Sequence, residues 1–286
     1  MTPEIIRKAI FNESNPTIEY YESGIVQRPP TLCAGCPHRG LFYELGKRKN
    51  VMVSGDIGCY TLGFAEPYNA MDINICMGSS ISIGHGAQQI FDMQKDNKMR
   101  VVSVIGDSTF FHSGINSLLD VTYNGSKVIT IILDNRTTGM TGHQQNPGTG
   151  YTLQGKETIE ASIEALVKAC GIENVVTVNP NDLEAVKRAL DWAFDLEEPS
   201  VIITRWPCAL KKLSENDREE FGAAFSDKCM VDIEKCIGCK MCTNTGCPAI
   251  SLDKQNKKAT INQDSCVGCG VCLQVCPAKA IGKVEA

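Results

Sequence analysis

Cysteine spacing constrains the end of this chain more tightly than any other feature. One run reads Cys236-x2-Cys239-x2-Cys242-x4-Cys247-Pro, and a second reads Cys266-x2-Cys269-x2-Cys272-x3-Cys276-Pro. Positions 236, 239 and 242 recur at 266, 269 and 272, so the two runs are an internal repeat. Interleaved sets ending in Cys-Pro are the ligand pattern of two [4Fe–4S] clusters, the fourth cysteine of each run serving the other cluster. One set is then Cys236, Cys239, Cys242 and Cys276, and the other Cys266, Cys269, Cys272 and Cys247. The longer gap before Cys247 changes a loop, not the ligand count. A zinc site needs four ligands but no second interleaved set. Cys229 is left over and is read as a non-ligand.

The chain has 286 residues, fifteen of them cysteine, and a net charge of −5. That length holds two domains. An acidic balance gives no electrostatic footprint for nucleic acid, and no apolar run reaches the length of a membrane span. The opening MTPEIIRKAIF lacks the apolar core of a secretory signal. A cytoplasmic setting is therefore expected, with thiols that ligate metal rather than form disulfides.

Upstream, apolar runs at 51–54, 101–105, 128–133, 175–178 and 200–204 alternate with helical spacing at 115–123, 159–170 and 183–194. Strand–helix alternation of this kind predicts an α/β fold, a parallel sheet with helices on both faces, followed by a small α+β ferredoxin-like two-cluster domain. The expected parts are an arm at 1–27, the sheet domain at 28–208, a charged linker at 209–228 and the cluster domain at 229–286. Within the arm, Ile5 to Phe11 reads as a short helix, and Arg28-Pro29-Pro30 as irregular chain.

The stretch from Gly106 to Gly142 carries the chemistry. One strand run ends in Gly106-Asp107-Ser108 and the next in Asp134-Asn135. In open α/β sheets ligands sit at the carboxyl ends of strands. Asp107 offers a carboxylate, Asn135 an amide oxygen, and a backbone carbonyl near Thr137 a third hard oxygen. Mg²⁺ takes such ligands and shares its shell with substrate phosphates. Gly106 admits a phosphate closely, and the amides after it open toward a helix start, which favours an anion. The expected ligand is a metal–diphosphate.

Other stretches read two ways. Cys33-x2-Cys36 with Pro37 suits a cluster, a zinc half-site or a redox dithiol. His38 and Arg39 face an anionic cofactor or open the helix from Gly40 to Lys49. Gly78, Ser79 and Ser80 lie in a small-residue run that enters a helix ending near Lys95. Small residues there suit phosphate approach, close helix packing at a subunit contact, or both. Gly55-Asp56-Ile57-Gly58 imitates the metal motif, but no matching Asn follows, and Asp56 is not assigned as a ligand. Cys76 and Cys170 read as core thiols.

The pattern G-D-S followed at Asn135 by N resembles the thiamine diphosphate motif, with Ser108 where that motif usually has Gly. LCAGCPHRG, GDIGCYTLG, CMGSSISIGHGAQ, GDSTFFHSG, DNRTTGMTG and the two cluster runs together resemble the 2-oxoacid:ferredoxin oxidoreductases. Within that family they look like the carboxyl-terminal half of the large subunits of indolepyruvate ferredoxin oxidoreductases. The likeness covers about residues 28 to 286. His143 stands where the family more often has Gly.

The resemblance implies oxidative decarboxylation of an aryl 2-oxoacid, such as indolepyruvate, to an acyl-CoA and CO₂. Electrons would pass to ferredoxin. Thiamine diphosphate would be bound by His38, Arg39, Gly78, Ser79, Ser80, Gly106, Ser108 and Thr141, with Mg²⁺ on Asp107, Asn135 and Thr137. No residue of the chain is read as catalytic, because the pyrimidine-side glutamate is expected on a partner chain or domain, as is the capacity to turn over. Cys33, Cys36, Cys59 and Cys208 match the pattern of a proximal [4Fe–4S] cluster found in some of the wider family. Unligated thiols or a zinc site are the alternatives. The rival function is a non-catalytic iron–sulfur subunit that only transfers electrons.

Overall fold

The apolar runs form five strands: β1 (Val51–Ser54), β2 (Arg100–Gly106), β3 (Ile129–Asp134), β4 (Asn174–Val178) and β5 (Ser200–Arg205). They make one all-parallel sheet in the order β1-β2-β3-β5-β4. A computed structural model describes residues 3–14, 24–26, 28–94, 97–222, 225, 227–253 and 255–284. Two compact units divide the chain, 1–30 and 31–286. The first holds helix α1 (Pro3–Phe11), whose Ile5, Ile6, Ile10 and Phe11 are all exposed. Much of the expected arm, and the expected helix end at Lys95, lie outside the described residues.

Side-chain alternation along the strands builds two cores. Val102, Val104, Ile129, Ile131, Leu133 and Ile202 face one side, under α2 (His38–Leu45) and α7 (Leu183–Asp195). Val101, Ile105, Ile132, Val201 and Ile203 face the other, under α3 (Ser80–Asp92), α5 (Ile115–Tyr123) and α6 (Ile163–Ala169). Burial on both faces is what lets the strands read as continuous apolar runs. A helical turn, α4 (Asp107–Thr109), and a π-helical stretch (Phe110–Gly114) lead directly into α5, so the chain turns helical at Asp107 itself. Helix α6 starts later than the spacing predicts, because Ser162 caps it, its hydroxyl accepting from Ala165 N at 3.1 Å.

The stretch expected as a linker is structured. It contains α8 (Glu215–Phe221), opened by a Ser214–Asp217 capping box. Asp217 is fully buried and pairs with Arg136 Nε at 3.1 Å. Its charge reads as solvated in the sequence because the partner lies on another element.

The cysteine-rich tail has very little regular structure. Strand β6 (Cys229–Val231) pairs with β9 (Ile281–Lys283), and β7 (Ile250–Leu252) with β8 (Ala259–Ile261), both antiparallel. Helix α9 (Val271–Gln274) follows Gly270. The tail packs on the sheet domain through Tyr68, whose hydroxyl donates to Thr245 O at 2.7 Å, and through Gln274, which accepts from Leu183 N at 2.9 Å. Among the described residues, no helix is long and apolar enough to cross a membrane.

Candidate functional site at the carboxyl ends of the strands

A cleft of about 110 Å³ opens where β2 and β3 end. Its lining includes Gly106, Asp107, Ser108, Asn135, Thr137 and Thr141, the residues that sequence reasoning placed at this edge, together with Cys59, Tyr60 and Met77. Asp107 is buried. Its Oδ1 accepts from Ser108 N at 2.7 Å and its Oδ2 from Asn146 Nδ2 at 3.1 Å. Burial, and then the neighbouring Asp134 carboxylate, push the Asp107 carboxyl well above the usual range. Asp134 has Arg205 beside it at 3.7 Å. Among the described residues no cationic side chain forms an ion pair with Asp107. A buried carboxylate so placed is stabilised by a bound cation. Together with the Asn135 amide and the Thr137 carbonyl, the donor chemistry fits a hard divalent ion.

The loop after β3 is held by strain and charge together. Arg136 takes a left-handed φ of 61°, costly for a residue with a β-carbon. Its amide donates to Asp134 Oδ1 at 3.0 Å, and its guanidinium binds Glu160 at 2.7 Å and Asp217. This arrangement turns Arg136 away from the cleft and leaves Asn135 and Thr137 on the cleft wall. Neither Arg136 nor Asn146 was anticipated; both act through partners distant in sequence.

Tyr60 forms part of the opposite wall, with Asp56 buried behind it. The Tyr60 hydroxyl donates to Asp56 Oδ2 at 2.8 Å, and Gly78 N donates to Asp56 Oδ1 at 2.6 Å. The motif look-alike is therefore the pin that holds the 75–79 loop. Gly106 is required by this wall, because a β-carbon there would lie 2.6 Å from the Tyr60 ring.

Several expected cofactor contacts lie elsewhere. Gly78, Ser79 and Ser80 sit behind Met77 rather than on the lining. The Ser80 carbonyl accepts from Ser54 and Ser103, which ties the start of α3 to β1 and β2. His38 is buried edge-on against Tyr60. Arg39 is buried too, and its guanidinium donates to Leu32 O, Cys33 O, Tyr68 OH and Thr245 O. Four of its five N–H groups are thus engaged away from the cleft, whose lining does not include it. Cys76, expected in the core, is exposed, whereas Cys170 is buried.

Cys33 and Cys208 lie near both Cys36 and Cys59. Burial raises the Cys36 thiol to about 12, and charge on Cys208 and Cys33 adds to it. Burial raises Cys59, helped again by Cys208 and Cys33. Thiols so disfavoured as anions ionise on binding a metal. The quartet adjoins the cleft: Cys208 N donates to Asn135 O at 3.0 Å, and Gly139 lies against both the Asn135 amide and the Cys59 sulfur. His143 Nε2 lies 3.7 Å from Cys208 Sγ, and His143 has a φ of 62°, a conformation glycine adopts without strain.

The tail cysteines line two cavities, with Cys229 also in the second. Cys236, Cys239, Cys242 and Cys276 line one cavity, and Cys247, Cys266, Cys269 and Cys272 line another. The second cavity abuts the sheet domain through Ala34, Gly35 and Arg39. Gly35, at a φ of 71°, packs its α-carbon on the Val267 side chain, so the Cys33–Cys36 loop meets the Cys266–Cys269 loop directly. Among the described residues, no three His, Cys, Asp or Glu side chains close on a single ion.

Residues 56–204 match the model of the thiamine pyrophosphate enzyme, C-terminal TPP binding domain, and residues 235–280 match the 4Fe-4S dicluster domain. The chain is 40% identical over 281 residues to the indolepyruvate oxidoreductase subunit IorA of Thermococcus kodakarensis, covering 94% of this chain and 43% of that one. It is 41% identical over 262 residues to the IorA subunit of Archaeoglobus fulgidus, covering 89% and 40%. The chain thus spans less than half the length of these curated relatives. The 2-oxoglutarate:ferredoxin oxidoreductase of Magnetococcus marinus superposes with a TM-score of 0.57 at 17% identity, covering 68% of this chain and 71% of that one. At that identity the likeness is one of fold.

Proposed function

This chain belongs to the thiamine pyrophosphate enzyme family, and from that premise we propose that it is the diphosphate-binding and electron-relaying part of a 2-oxoacid:ferredoxin oxidoreductase. The substrate class is an aryl 2-oxoacid such as indolepyruvate, released as acyl-CoA and CO₂ with coenzyme A as cosubstrate. The observation that carries the reading is the joint between two sites. The Asn135–Gly139 loop walls the cleft beside Cys59, which lines the same cleft, and the Asn135 carbonyl accepts from Cys208 N at 3.0 Å. A cofactor that yields electrons and a set of ligands that can accept them share one piece of backbone.

In this reading Asp107, Asn135 and the Thr137 carbonyl hold Mg²⁺, and the backbone of Gly106, Ser108 and Thr141 faces the diphosphate. Thiamine diphosphate supplies the electron sink that decarboxylation needs. Asn146 keeps the Asp107 carboxylate oriented, and Arg136 keeps Asn135 and Thr137 turned inward. Tyr60 and Met77 narrow the cleft against water. Cys33, Cys36, Cys59 and Cys208 hold a proximal [4Fe–4S] cluster, and the two tail sets hold two more. A partner chain or domain supplies the pyrimidine-binding half, ferredoxin is the acceptor, and the reduced thiols suit the cytoplasm.

The test is anaerobic purification with analysis of bound thiamine and iron, then assay with the partner, indolepyruvate, coenzyme A and ferredoxin. Thiamine retention with partner-dependent ferredoxin reduction supports the proposal. A chain with filled clusters that binds no thiamine diphosphate by calorimetry overturns it in favour of a purely electron-transferring subunit.

A further inference from the structure

The two carboxylate oxygens of Asp217, on α8, serve different parts of the chain. Oδ1 accepts from Arg136 Nε at 3.1 Å. Oδ2 accepts from Ser214 N at 3.0 Å and Ser214 Oγ at 2.7 Å, and forms an ion pair with Lys211 Nζ at 2.6 Å. Arg136 stands in the chain between two cleft residues, Asn135 and Thr137. Lys211 follows Cys208 closely, and its amide donates to Cys208 O at 3.0 Å. One carboxylate therefore ties the cleft loop to the Cys208 segment. The tie works against a cost, because Arg136 holds its left-handed φ of 61° against the preference of a residue with a β-carbon. A relaxed Arg136 would rotate the peptide groups on either side of it, and Asn135 and Thr137 with them. Its guanidinium also donates to Gly148 O and to Glu160. Glu160 is 30% exposed, whereas Asp217 is fully buried. A partner open to water contributes little, but removing a buried one strands a buried charge.

We infer that Asp217 is a positioning residue for the diphosphate site: through Arg136 it keeps Asn135 and Thr137 facing the cleft, and through Lys211 it fixes the Cys208 segment against the same loop. Asp217 is absent from the cleft lining, so it acts only through these partners. It also lies beyond the 56–204 match to the thiamine pyrophosphate domain. The segment that joins the sheet domain to the tail thus carries part of the cofactor site, and α8 is a strap over the cofactor loop rather than a spacer.

The inference rests on the diphosphate reading of the cleft, and calorimetry of Mg²⁺–thiamine diphosphate binding to the wild-type chain tests that reading by itself. One arm of the experiment needs no cofactor. In the full chain before thiamine diphosphate is added, Asp217→Asn should speed exchange of the Arg136 and Cys208 amides, which bond to Asp134 and Asn135, about tenfold. The amides of β2 should keep their wild-type rates. With Mg²⁺–thiamine diphosphate added, Asp217→Asn should weaken binding about tenfold. Lys211→Met removes the other ion pair of Asp217 but leaves Arg136 held, and should change that affinity much less. In an Arg136→Gly background, Asp217→Asn should add no further loss, because glycine takes the left-handed conformation without a tether. Equal losses in Lys211→Met and Asp217→Asn, or additive losses in the double variant, would make Asp217 a general stabiliser and overturn the inference. Wild-type exchange in Asp217→Asn, or exchange raised equally in β2, would overturn it too.

Discussion

The sheet domain and the tail would build their proposed metal sites by opposite routes. In the first, strands buried on both faces form a frame before any ligand is considered, and the site is made of residues drawn from four strand ends. Asp107, Asn135, Cys59 and Cys208 are distant in sequence and meet because parallel strands deliver their carboxyl ends to one edge. In the tail, the strands are three residues long, and Cys236, Cys242 and Cys272 sit inside a small core with Val231, Ala259, Val271, Val275, Ala280 and Ile281. There the expected ligands are part of the core rather than attached to its edge. A frame-first site tolerates loss of its cofactor, while a ligand-first site takes its stability from the cofactor.

Iron removal separates the two routes most sharply. Chelation under anaerobic conditions should abolish amide-exchange protection across 229–284, while amides of β2, β3 and β5 stay protected. Equal loss in both regions would erase the distinction. Next in size, Asp107→Ala should weaken Mg²⁺–thiamine diphosphate binding by roughly a hundredfold or more with iron content unchanged. Asn146→Ala, which only frees the carboxylate, should cost roughly tenfold. Calorimetry showing equal losses would deny Asn146 its orienting role. Cys208→Ala should lower iron by about one four-iron cluster and leave thiamine binding within a few-fold, and a chain that kept all its iron would remove the proximal cluster.

The smallest effect is a pH dependence within the frame. Burial, with Arg39 adding to it, depresses His38 to about 4 from 6.5. A depressed histidine is neutral when folded, so its contribution is fully present above pH 6.5 and is lost as pH falls toward 4. The loss is about 3 kcal/mol at most. His38→Gln should flatten the acid limb of the thermal-stability profile of the iron-free chain between those values. An unchanged slope would show that other groups carry the acid sensitivity.

Much of this was legible in the sequence because the signals are local. Runs such as Val101–Ile105 report a strand buried on both sides, and tail cysteine spacing reports which sulfurs share a cavity. What was missed is pairwise and distant. Asp217 looks like linker charge until Arg136, 81 positions away, is seen beside it. Asn146 carries no motif, and Asp56 carries a misleading one. Arg39 beside a C-x-x-C pair reads as an anion contact, yet the guanidinium found four acceptors in the fold. Cys76 reads as core from its apolar neighbours, although the loop that Asp56 pins leaves it at the surface.

Arg39 also sets an order of events. Its Nη1 donates to Thr245 O at 3.2 Å, across a separation of 206 residues. At 5–20 residues per second, a ribosome needs roughly 10–40 s to cover that distance. Through that interval the early segment holds a cation whose last acceptor has not been made. Its other acceptors, Leu32 O, Cys33 O and the Tyr68 hydroxyl, are local, so the loop can form early and the Thr245 contact closes over it only when the tail has been made.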